Sequence, residues 1–265
     1  MSLDIDQADP QLCRKWIAEG KLNQALAWLE TQEQTAETLL LWTMCQKENQ
    51  LELWERVVYQ LRDMPLNAQI YRDRILALGQ VIKWSRLGYD QHRYLQYLQE
   101  IIRVAETTND SLQALHWRTI LANYYLKLGE IEKALPLLQE SVHQSIVLKQ
   151  RLLLISQGTL LCSLWMSQGK FEEVASLCLQ IDQAAIERSN WIALACSRNT
   201  RSSCWLIRKS QQQSINLLLD TGDFLAQKGA CAALNLVKAR LGELQLILGK
   251  PQLLSLIQKR NASLH

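Results

Sequence analysis

The chain has 265 residues, 48% of them hydrophobic and 21% charged, a balance that folds and does not stay disordered. Its 10 Gly and 4 Pro are less than half the ordinary share of about 12%, so the residues of hairpin turns and sheet corners are scarce, which argues against an all-β or doubly wound fold. A net charge of +3 is too small by itself to mark a nucleic-acid footprint or a membrane surface. Residues 201–265 nevertheless carry nine basic and three acidic side chains, leaving the rest of the chain slightly acidic.

No run of eighteen apolar residues occurs and the opening MSLDIDQADP is acidic and polar, so neither membrane insertion nor a secretory leader is expected and the location expected is cytoplasmic. Seven cysteines, odd in number and scattered through apolar runs, read as small buried hydrophobes in a reducing compartment. His92, His116, His143 and His265 stand far apart, without CxxC or HExxH spacing, so no metal site is expected. P-loop, GxSxG and dinucleotide signatures are missing too, so the expectation is a non-enzyme without cofactor.

In chain order, the first unit is CRKWIAEGKLNQALAWL, with Trp16 one helical turn before Gly20. The second has QKENQ as its turn, with Asn49 in the glycine position. The third, VIKWSRLGYDQHRYLQYL, places Trp84 before Gly88. LANYYLKLGEIEKALPLL follows with Tyr125 and Gly129, then LCSLWMSQGKFEEVASLC with Trp165 and Gly169, then SCWLIRKSQQQSINLLL with Trp205 and Lys209 in the glycine's place, and last LQLILGKPQLLSLI around Gly249. A glycine here supplies the left-handed residue that ends one helix before the next begins. Apolar residues after each turn recur at helical intervals, as in Ile131, Ala134, Leu135, Leu138 and Val142. Helix pairs are therefore predicted near 10–32, 36–63, 66–107, 110–148, 150–188, 190–229 and 230–264, with the aromatics buried, Ala25 and Ala134 marking close helix approaches, and Pro136 early enough in its helix to cost little. Glu172 and Glu173 at the start of a second helix read as a solvated face that favours the dipole.

Leu121, Ala122, Tyr125, Gly129 and Ala134 have the spacing of the tetratricopeptide repeat, which this chain resembles; Leu161, Cys162, Trp165, Gly169 and Val174 fit most of it. The period near 40 and the ALPLL context of Pro136 also resemble, more distantly, the helical-repeat sensor domain of MalT-type transcription activators. Together these readings give one TPR-like domain over 1–265, an all-α right-handed superhelical solenoid of about seven antiparallel hairpins, each burying its apolar face on its neighbours. The resemblance implies a concave groove lined by first helices, with His116, Thr119, Asn123, Thr159, Ser163, Arg198, Asn199, Arg201 and Ser203 as the side chains that would meet a partner. Asn123 resembles the family's groove asparagine, but the lysines that clamp a C-terminal carboxylate are not matched, so that specificity is not carried over.

Arg201 falls where Leu121 and Leu161 stand in earlier units, and Arg198 lies one turn before it. A guanidinium on a packing face must be paired or reach water; the alternative is a cationic site, with Arg208 and Lys209, for an acidic peptide or anion. The function expected is an adaptor or regulatory scaffold holding a peptide or partner helix. A MalT-like sensor of a small molecule is the alternative, and an RNA-binding repeat a minor one, because basic residues are not confined to one stripe.

Overall fold

The computed structural model describes residues 8–46, 51–85 and 90–262. The expected turns at Asn49 and Gly88, and His265, lie outside the described residues. Fourteen α-helices and no strand occur among the described residues. They fall into seven consecutive pairs: α1 (Pro10–Ala18) with α2 (Leu22–Leu29), α3 (Ala36–Cys45) with α4 (Leu51–Arg62), α5 (Ala68–Ser85) with α6 (Gln91–Thr107), α7 (Ser111–Lys127) with α8 (Ile131–Val147), α9 (Arg151–Ser167) with α10 (Phe171–Glu187), α11 (Trp191–Ile207) with α12 (Gln211–Gln227), and α13 (Cys231–Leu248) with α14 (Lys250–Ala262). No described helix is long and apolar enough to cross a membrane.

The turns explain the pairing. Gly20, Gly129, Gly169 and Gly249 have φ between 74° and 81°, the left-handed conformation that closes a helix and that glycine adopts without a Cβ clash. Lys209 takes the same conformation at φ 62°. The connections from each second helix to the next first helix follow the same rule, with Asn109, Lys149 and Ser189 at φ 57°, 54° and 51° and Gly229 at 65°; of these, Lys149 and Ser189 give no compositional signal. Left-handed residues thus recur every 20 positions from 109 to 249. Asp9, Asp90 and Asn190 cap the starts of α1, α6 and α11 with their side-chain oxygens.

By packing, the chain divides into two compact units, Met1–Trp117 and Arg118–His265. In the first, Trp16, Trp28, Leu41 and Cys45 form the core of the opening helices, and Arg14 bridges buried Asp73 and half-exposed Glu37 at 2.9 and 3.0 Å. In the second, consecutive helices from α8 to α14 pack on one another, and the first helices also touch directly, α9 on α11 and α11 on α13. Its core runs through Leu138, Leu161, Val174, Ile181, Leu194, Ile215, Val237 and Leu244. Ala25 and Ala134 are fully buried, as close helix approach requires.

Three expectations need correction. Trp16 and Tyr125 are buried, but Trp84, Trp165 and Trp205 are only half-buried. Pro136 is the sixth residue of α8, past the first turn, so the Glu132 carbonyl loses its ordinary helical donor. Cys196 and Cys231 are exposed, although the other five cysteines are buried. Cys162 and Cys178 Sγ lie 3.9 Å apart and Cys204 Sγ lies 3.4 Å from Met166 Sδ; burial pushes the Cys204 thiol up to about 11.

Candidate functional site

In the second unit the outward face of each first helix carries one register. On α9 it consists of Leu152, Ser156, Thr159, Leu160, Ser163 and Ser167, all exposed. Those positions are spaced as i, i+4, i+7, i+8, i+11 and i+15, which lie along one side of a helix. Forty residues on, α11 presents exposed Ile192, Cys196 and Ile207 with half-buried Asn199, Thr200 and Ser203, and α13 presents Ala232, Leu236, Ala239, Arg240, Glu243 and Ile247. Since α11 packs on both α9 and α13, the three columns adjoin. Leu152, Ile192 and Cys231 line a 520 Å³ cavity at their leading ends.

The hydroxyls of this face have already spent their protons. Ser156 donates to the Leu153 carbonyl at 3.1 Å, Thr159 to Ile155 at 2.7 Å, Ser163 to Thr159 at 3.1 Å and Ser167 to Leu164 at 2.7 Å. On α11, Thr200 donates to Cys196 at 3.0 Å and Ser203 to Asn199 at 3.1 Å. A hydroxyl has one proton and two lone pairs, so what α9 turns outward is a column of acceptors. Asn199 Nδ2 donates to the Leu236 carbonyl at 3.3 Å, and Arg240 donates to Ser203 Oγ at 2.7 Å and pairs with Glu243 at 2.6 Å. Arg240 was not expected at the site; its signal was an arginine 40 residues after Thr200.

Thr159, Ser163, Asn199 and Ser203 lie on one outward face, on two adjoining helices. Thr119, Arg198 and Arg201 do not join them. Thr119 is buried, with no partner for its hydroxyl among the described residues, so it is turned inward and not toward a groove. His116 is exposed and Asn123 half-buried on α7; His116 belongs to the first unit and Asn123 to the second.

Arg198 and Arg201 face the second helices. Arg198 Nε donates to Asp182 Oδ2 of α10 at 3.4 Å and its Nη1 to Thr221 Oγ1 of α12 at 3.2 Å. Arg201 Nη1 lies 3.3 Å from the same Asp182 oxygen and its guanidinium covers the Trp205 ring at 5.5 Å. Arg201 is only 8% exposed and Asp182 6%, so the pair is a link between α11 and α10. Burial pushes the Asp182 carboxyl up, against the opposing pull of Ser197, Arg201 and Arg198. Burial prevails because both ion pairs are long and Oδ1 finds no partner among the described residues.

No family model matches the chain, and no curated protein does. Solved structures do. The chain is similar to TPR-like repeat proteins. A Podosopora anserina putative kinesin light chain with nearly identical TPR-like repeats is 15% identical over 92% of this chain and 99% of its own, at a TM-score of 0.47. A single-substitution form of it is 16% identical over 83% and 94%, also at 0.47. A Rap protein complexed with Competence and Sporulation Factor is 13% identical over 94% of this chain and 74% of its own, at 0.44.

Proposed function

We propose that the chain is a protein-interaction scaffold whose α9–α11–α13 face holds a peptide segment of a partner. The observation that carries this reading is the column of Ser156, Thr159, Ser163 and Ser167, whose protons are committed to α9's own carbonyls. Such a column accepts and does not donate, which suits the N–H groups of an extended backbone. Leu152, Leu160, Ile192 and Leu236, each between 37% and 58% exposed, supply apolar contacts among the polar ones, the composition expected of a recognition surface. The sequence-level idea of an acidic ligand on Arg198 and Arg201 is not part of this proposal, because both face Asp182.

The test is affinity capture from the cell in which the protein is made, wild type beside Leu160→Glu/Thr159→Glu, with alkylation of exposed Cys196 followed by mass spectrometry. Partners captured by the wild type should be lost with the double variant, and Cys196 should be protected in the complex. The same partners retained by a variant with an unchanged melt, or Cys196 alkylated as fast in the complex as alone, would remove this face from the proposal.

A further inference from the structure

Every fortieth residue allows one repeat to be compared with the next. Tyr125, Trp165 and Trp205 occupy equivalent positions, one turn before their helix-ending residues. In the α7–α8 pair the ring is covered from within: Lys133 Nζ lies 5.5 Å from the Tyr125 ring centre and is held by Glu130 at 2.7 Å. In the α11–α12 pair the Arg201 guanidinium lies 5.5 Å from the Trp205 ring centre. Around Trp165 both sources of charge have changed. The residue equivalent to Lys133 is Glu173, and the residue equivalent to Arg201 is Leu161.

Among the described residues, no cation covers Trp165 and no ion pair engages Glu173. Trp165 and Glu173 instead line a cavity of about 660 Å³ between α8, α9 and α10, together with Val142, Ile146 and Leu177. Half-buried Trp165 forms part of its wall. Glu172 and His143 stand at the same cavity; Glu172 pairs with Arg208 at 2.9 Å, which leaves Glu173 as the carboxylate of the cavity without an ion pair among the described residues. An aromatic ring beside a free carboxylate, against aliphatic walls, is the arrangement that recognises a cation on an apolar stem.

We propose that this cavity takes an arginine or lysine side chain of a partner protein. Its stem lies against Val142, Ile146 and Leu177, and its charge takes over Trp165 and beside Glu173 the place that Lys133 fills over Tyr125. The site combines Trp165 of α9 with the second helices α8 and α10, and none of its lining residues belongs to the α9–α11–α13 face, so it stands or falls separately from that face.

The experiment follows the Trp165 indole N–H resonance, assigned by its disappearance in Trp165→Phe, while the full chain is titrated with capped single residues. N-acetyl-arginine amide and N-acetyl-lysine amide should shift it saturably, and the neutral isostere N-acetyl-citrulline amide should not. Glu173→Gln should weaken the arginine probe about fivefold, as expected for loss of one exposed ion pair. Glu173→Lys should abolish binding by supplying the cation from within, while Glu132→Lys on α8 leaves it unchanged. Both positions are exposed, so the variants should melt like the wild type. Equal shifts by arginine and citrulline, no shift by any probe, undiminished binding to Glu173→Lys, or tighter binding of free arginine than of its capped form would each overturn the proposal.

Discussion

Asp182 concentrates the energetics of the second unit in one side chain. It is the anion for two guanidiniums that α11 turns inward, and removing one member of a buried charge cluster costs more than the cluster contributes. Asp182→Ala should lower stability by about 3–5 kcal/mol in urea unfolding, and adding Arg201→Met should recover most of that loss. The pH dependence has a definite sign. Burial raises the folded carboxyl above its unfolded value, so the stability it contributes is present below about pH 4, the ordinary aspartate value, and is lost as pH rises through the folded value. The difference in unfolding midpoint between wild type and Asp182→Asn should therefore grow in the variant's favour over that window. A pH-independent difference would show that the carboxyl is not perturbed. This partner was legible in part: Asp182 interrupts the apolar run LCLQIDQAAI, but which helix receives Arg201 depends on packing across two elements. Thr119 was misplaced for the same reason, since the same helical position is exposed at Thr159 and buried at Thr119.

At the scale of the helices, the turns that sequence reveals are those where glycine is used. Gly129 and Gly169 announce their left-handed conformation, and the aromatic one turn earlier fixes the register. Lys149 and Ser189 adopt the same conformation without any such signal, because there the tertiary packing of two helices overrides a local cost of about 1–2 kcal/mol. Reciprocal substitutions test this directly. Lys209→Gly should raise the melting temperature by relieving that cost. Gly169→Ala should lower stability by about 1 kcal/mol through the backbone alone, since nothing lies within 4 Å of an added Cβ. Opposite outcomes would mean that these residues are held by side-chain contacts.

At the scale of the whole chain, stability in a stack of hairpins is close to a sum of nearest-neighbour contacts. Helices α9, α10 and α11 are packed on both sides by neighbours, whereas α14, among the described residues, packs mainly on α12 and α13. Amide hydrogen exchange should therefore be slowest in α9–α11 and fastest in α14 within the second unit; uniform protection across these helices would indicate a single cooperative block. Leu246 and Ile247 on α13 are 86% and 67% exposed, while Leu206, 40 residues before Leu246, packs against the core. Leu246, at the equivalent position, is left in water among the described residues, which adds to the expected looseness of this hairpin.

The left-handed residues from 109 to 249 beat at a fixed interval of 20, and this sets which rearrangements of the gene the protein tolerates. Dropping or adding one residue inside a helix swings every later side chain by about 100°, carrying acceptor columns into the core and leucines into water. Gain or loss of a complete 40-residue module keeps every phase intact.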